Sequence, residues 1–332
     1  MKIIKLSLWL IVLTSLISCN EITEVTQRSS TGGLNEILIV TNNVSQWDGE
    51  IGDSIRRNFT RELKLLPVPE QEFKVVNINE ASISKKIFKK HHNIFIVNID
   101  PSIKEAFVES KKDLWAAPQI VVKINAPNIH EWLISFEEVK ENSFDLFVDN
   151  ERTRIMNSYG SKFKNLKISK ELKKYFHIDM NIPKGYSVTK VDSTKLWVRK
   201  ETAANSMNII VYTQPYHSTA DFDHRSILLR RNNLTRTYIP GPTVGSYQVI
   251  SDEYIEPISK ELSYNNMFAV EMRGLWRVEN DFMGGPFISY TFVDEKRGKL
   301  ITIDGFAYAP KQKKAPLMRE LEGMLWSLKL VD

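Results

Sequence analysis

FAVEMRGLWRVENDFMGGPFISYTFVDEKRGKLITIDGFAY, residues 268–308, holds three strand-like runs separated only by short polar or glycine-bearing turns. No helix fits between them, so the runs must pair antiparallel. Lys296-Arg297-Gly298 reads as a hairpin turn, with glycine supplying the backbone freedom. Working upstream, FHIDMNI, YSVTKV, KLWVRKE, MNIIVYT and YQVISDEYI extend the succession of strands, with Lys184-Gly185 as a second turn. Two helices are set apart from them. One is DFDHRSILLRRNNL; the other is APLMRELEGMLWSLKL near the end of the chain, with Leu317, Leu321, Met324, Leu325 and Leu328 on one face. Strands in runs with separate helices predict an α+β domain over 166–332.

The first half has another rhythm. NEILIVT begins with a short apolar run typical of a buried strand, and Ile51, Ile55, Phe59 and Leu63 then recur every fourth residue, one stripe of an amphipathic helix. Asp48 is the expected N-cap of that helix. FKVVNIN, NIFIVNI and PQIVVKI read as further strands, with a short helical stretch around SKKIFKK. Asn128 and Glu131, just after Pro127, have the spacing of a capping box for a long helix that buries Trp132, Leu133, Phe136 and Val139. Strands alternating with helices predict an α/β layer over 35–165. The expected class is thus an N-terminal α/β layer followed by a mainly antiparallel sheet with flanking helices, as two domains or one fused unit.

The chain has a single cysteine, Cys19. Before it, Lys2 and Lys5 form a basic n-region and Leu6–Ile17 a mostly apolar run of twelve residues. That suits a secretory signal and falls short of the roughly 20 residues needed to span a bilayer. Leu16-Ile17-Ser18-Cys19 resembles the lipobox of bacterial lipoproteins. The resemblance implies a signal peptide over 1–18, cleavage before Cys19 and acylation at its thiol. Two or three acyl chains are expected, because one holds a membrane only marginally. Loss of 1–18 would lower the formal charge from +5 to +3, weak support for a nucleic-acid partner. The polar stretch from Asn20 to Gly33 reads as a flexible tether, so 19–34 is expected to be a lipidated linker.

Chemistry is sparsely signalled. His217, Asp221, Asp223 and His224 form the densest group of metal-ligand types, but lack metal spacing and suit a helix cap. No nucleotide, dinucleotide or serine-hydrolase motif occurs. No cofactor and no metal are therefore expected. The basic run SKKIFKKHH, residues 84–92, reads as a solvated helix face. Two Gly-Pro loops, Tyr238–Tyr247 and Phe282–Phe287, are framed by aromatic rings. Tyr238, Tyr247, Trp276, Phe282 and Phe287 are accordingly the candidate binding residues, for an envelope protein or glycan. Asp192-Ser193-Thr194 and Asp53-Ser54-Ile55 resemble the acceptor that Bacteroidota use for O-glycosylation, with Ser193 favoured because it lies between strands.

NEILIVTNNVSQWDGEIGDSIRRNF, LPVPEQEF, HHNIFIVNID, DLWAAPQIVVKINAP and RGLWRVENDFMGGPF, with the lipobox, make the chain similar to Bacteroidota lipoproteins of about this length that carry a domain of unknown function. Trp47-Asp48-Gly49-Glu50 and Met283-Gly284-Gly285-Pro286 are the most specific segments. The resemblance implies a lipid-anchored protein of the cell envelope, in the outer membrane, and no mechanism. The second half is also loosely similar to the PsbP-like fold, which implies an antiparallel sheet between helices. The expectation is a non-catalytic binding or assembly factor; the alternative is an envelope hydrolase acting on glycan or peptide, its site formed only by the fold.

Overall fold

The computed structural model describes residues 28–252 and 255–332. Cys19, the signal segment and most of the expected tether lie outside the described residues.

The first half runs β1 (Glu36–Thr41), α1 (Val44–Asp48), α2 (Glu50–Phe59), β2 (Lys74–Asn79), α3 (Glu80–Ile83), α4 (Lys86–Lys89), β3 (Asn93–Ile99), β4 (Phe107–Lys112), β5 (Ile120–Ala126) and α5 (Ile129–Ser158). The sheet order is β2-β1-β3-β5-β4, parallel except for β4. Buried on both faces, β1, β3 and β5 can be almost wholly apolar. Phe59 of α2 packs edge-on against Phe95 of β3 and Phe136 and Phe147 of α5. Those rings fix α2 and α5 on one face.

The expected helix start at Asp48 is corrected. Asn43 caps α1 through Gln46, the chain straightens at Gly49, and α2 begins after it. Arg56 holds the corner by lying 4.5 Å over the Trp47 ring and donating to the Trp47 carbonyl at 3.0 Å. Leu63 lies beyond the end of α2. Asn128 does cap α5, accepting from the Glu131 amide at 3.0 Å.

The second half contains α6 (Leu166–Phe176), β6 (Ile178–Asp179), β7 (Ser187–Val191), β8 (Lys195–Glu201), β9 (Ser206–Pro215), α7 (His224–Tyr238), β10 (Tyr247–Ser251), β11 (Ile258–Tyr264), β12 (Met267–Glu279), β13 (Gly284–Asp294), β14 (Lys299–Tyr308), α8 (Ala315–Trp326) and β15 (Lys329–Leu330). An antiparallel sheet runs β10-β12-β13-β14-β9-β8-β7, with β11 also on β12, while β6 pairs with β15. Alternation sorts β13: Ile288, Tyr290 and Phe292 face the core under α6 and α8, and Phe287 faces the core under α7. The sheet thus lies between helices on both faces, the α+β arrangement expected.

The halves are joined along α5 and α8. Gly323 permits the close approach, since a Cβ there would lie 2.6 Å from the Ile155 side chain. The Glu70 carboxylate accepts from the Lys314 and Ala315 amides at 2.7 and 2.9 Å, capping α8 from the loop before β2.

Candidate functional site

A cleft of about 710 Å3 opens between the halves, with walls from the segment after α2, from α5, from β11 and β12, and from α8. At its base Glu322 of α8, 2% exposed, receives three guanidinium groups. Arg152 of α5 lies at 2.7 Å, Arg273 of β12 at 2.7 Å and Arg319 one helical turn away at 2.6 Å. Each arginine has a further carboxylate: Asp149 at 2.6 Å, Glu271 at 2.7 Å and Glu72 at 2.8 Å respectively. Arg152 also stacks 4.2 Å above the Trp326 ring, and the Trp326 indole donates to the Tyr290 hydroxyl.

The electrostatics of this hub are one-sided. Burial by itself would push the Glu322 carboxyl up, but Arg152, Arg273 and Arg319 hold it far below the usual carboxylate range. Burial would weaken the Arg152 and Arg273 cations, and Glu322 more than restores both. Burial, with Glu271 nearby, drives the Tyr290 phenol well up. Every shift deepens the protonation state already present at neutral pH. A general acid or base needs the opposite, a pKa drawn toward neutrality. Among the described residues the one carboxyl pushed upward is Asp304, through burial. It is sealed under α7 at 1% exposure, bonded to Arg231 at 2.7 Å.

A second cleft, about 720 Å3, lies on the other side of β11. Its floor is aromatic: Phe222 meets Phe268 at 5.0 Å nearly perpendicular, and Tyr216 lies 6.0 Å from Phe222.

The residues expected to bind are placed unevenly. The two Gly-Pro loops do meet, through a 2.7 Å hydrogen bond from the Thr243 hydroxyl to Asp281. Trp276 and Phe287, however, are 3% and 1% exposed, in the core beneath α7. Alternation along β12 and β13 turns both inward, which corrects their assignment to a binding surface. Tyr238 packs against the same core, and burial, with Asp192 near, pushes its phenol up to about 12. Tyr247 stacks with Arg236 and accepts from it at 3.1 Å. Of the five, Phe282 alone stands fully in solvent. Ser193 is exposed at the β7–β8 turn, whereas Ser54 is buried in α2. Asp221 caps the short helical turn before α7, sharing a capping box with Ser218, and no group of metal-ligand type occurs among the described residues.

Sequence reasoning missed a buried pair. His91 and His92, the end of the run expected as a solvated basic face, stack at 4.6 Å inside the first half. His92 reaches Glu151 at 2.5 Å with both side chains fully buried, and His91 reaches Glu36 at 3.1 Å. Above them the segment from Arg28 to Gly33 is pinned, with Thr31 accepting from both the amide and the ring of His92. Gly32, at φ +115°, fits because a Cβ would lie 2.6 Å from the His92 ring. Chain expected as tether is therefore bonded to the fold from Arg28 onward.

Residues 165–327 match a family described as Domain of unknown function (DUF4837). Residues 30–160 match a second, also described as Domain of unknown function (DUF8532). Both matched stretches are thus similar to domains of unknown function. The matches adjoin just past α5. No curated protein matches the chain. Among solved structures, the Saccharomyces cerevisiae Ran-binding protein Mog1p is similar at 11% identity, over 47% of this chain and 91% of that one, with a TM-score of 0.31. A mutant of Mog1 is similar at 12% identity, over 47% and 92%, with a TM-score of 0.30. The human StarD13 (DLC2) lipid transfer and protein localization domain follows at 10%, over 48% and 95%, with a TM-score of 0.22. At such scores the likeness carries no functional argument.

Proposed function

We propose that the protein is a lipid-anchored envelope protein of Bacteroidota, held in the outer membrane at Cys19, that acts by binding or assembly rather than by catalysis. The observation carrying the non-catalytic reading is the ionic cleft. The buried groups at its base, Glu322 with Arg152, Arg273 and Arg319, are committed to one another, and the shifts of Glu322, Arg152, Arg273 and Tyr290 all move away from neutrality. The anchor rests on the register of Lys2, Lys5, Leu6–Ile17 and Cys19. With Arg28 pinned, the nine residue steps from a membrane-held Cys19 reach about 32 Å at most. The body then works close to the bilayer, and envelope proteins or glycans at that height are the partners in reach.

Cys19→Ala tests the anchor. The wild-type protein should enter the detergent phase in a temperature-induced phase split, and the variant should stay aqueous and uncleaved. A variant that still partitions into detergent and is cut at the same bond overturns the proposal.

A further inference from the structure

The long strand β12 has one edge on β13, and its other edge is divided between β10, paired with 275–279, and β11, paired with 267–273. Among the described residues no strand lies on the far side of β11 and no other backbone group bonds to it. An open edge leaves alternate N–H and C=O groups free to receive another strand. The two faces of β11 differ in what they meet. Ile258, Lys260 and Leu262, joined by Ser263 near the strand's end, line the ionic cleft, while Glu261 at the middle lines the aromatic one. A strand laid along β11 would send its side chains alternately into these two clefts.

The aromatic cleft sets the chemistry of the occupant. Phe222 and Phe268 form its floor, and Phe268 is 52% exposed. Asp223, Glu261 and Glu295 stand around them without an ion pair among the described residues, whereas Asp294 and Lys296 are paired to Arg297 and Asp332. Ring faces rimmed by unpaired carboxylates suit an ammonium or guanidinium group. A second copy fits poorly. Two-fold antiparallel pairing about the middle of β11 sets Lys260 against Lys260, or Glu261 against Glu261, and like charges directly opposite destabilise.

We propose that β11 receives an extended segment of a partner protein as an added strand, with Lys or Arg side chains of that segment entering the Phe222–Phe268 cleft. This rests on the reading of the protein as a binding protein and names the class of its partner.

The test uses the full chain in detergent micelles and seven-residue peptides, the length of β11. One alternates Lys with Thr, the other Glu with Thr. The Lys-Thr peptide should bind and slow amide exchange in β11, and Glu261→Lys should weaken it by at least about tenfold. N-methylation of alternate peptide amides should abolish binding for one set and spare it for the other, because an added strand bonds through one edge only. Equal binding of the two peptides, no binding, or indifference to both methylation sets overturns the proposal. Dimerisation without peptide that slows the same amides gives the edge to a second copy, and also overturns it. Glu261→Lys leaves Cys19 in place, so phase partitioning reports on the anchor independently.

Discussion

Glu322→Gln should weaken the fold more than any other single charge removal at the cleft. The substitution keeps volume but turns one of two acceptor oxygens into a donor and withdraws the negative charge on which Arg152, Arg273 and Arg319 converge within 2.7 Å. Breaking a buried ion pair from one side costs about 3–5 kcal/mol. Asp149, Glu271 and Glu72 remain beside the three arginines, so the lower end applies, about 3 kcal/mol. With a urea slope of about 3 kcal/mol/M, the midpoint at pH 7 should fall by about 1 M. Circular dichroism of wild type and variant measures it. The pH dependence carries a sign. Because the folded Glu322 pKa is depressed, its stabilisation is complete above the unfolded value of about 4.3 and is lost as pH falls through the folded one. The gap between the proteins should therefore persist from pH 7 to pH 5 and narrow only below about pH 4.3. An unchanged midpoint at pH 7, or a gap that closes between pH 7 and pH 5, refutes the reasoning.

Other outcomes follow from burial and charge. Trp276→Ala and Phe287→Ala should each cost about 3–5 kcal/mol, while Phe282→Ser stays within about 0.5 kcal/mol, read by denaturant midpoints. Burial and the neighbouring His92 lower the His91 pKa, so its contribution is full above the unfolded value of about 6.5 and is lost as pH falls. His91→Asn should flatten the fall in stability measured by urea titration below that pH; an unaltered slope counts against it. Ser193→Ala should remove any O-glycan mass from the native protein, and an unchanged intact mass counts against glycosylation at that turn.

The sequence made the buried elements legible, and the edge strands β2, β7 and β10 with them, but hid β4 and β11. β1, β3, β13 and β14 are apolar because both faces are covered, so their runs stand out. Asn128 declares the start of α5 by its cap. β4 (FVESKK) and β11 (ISKELSY) are edge strands whose charges meet solvent, so neither reads as a strand. The one local clue to β11 is Asn265-Asn266, both at positive φ, as a two-residue hairpin loop requires. The ionic hub is invisible for another reason. Arg152, Arg273 and Glu322 lie far apart in sequence, and each reads alone as a solvated charge. His91 and His92 hide at the end of a lysine-rich run for the same reason, their partners Glu36 and Glu151 being more than fifty residues away.

The binding role is tested most directly by carboxyl 13C NMR of glutamate-labelled protein titrated from pH 5 to pH 9, with Glu322→Gln assigning the resonance. A binding protein with a committed ionic hub predicts a Glu322 signal that does not move across that range. A Glu322 carboxyl that titrates near neutrality would mark a poised acid or base in the cleft and contradict the non-catalytic reading.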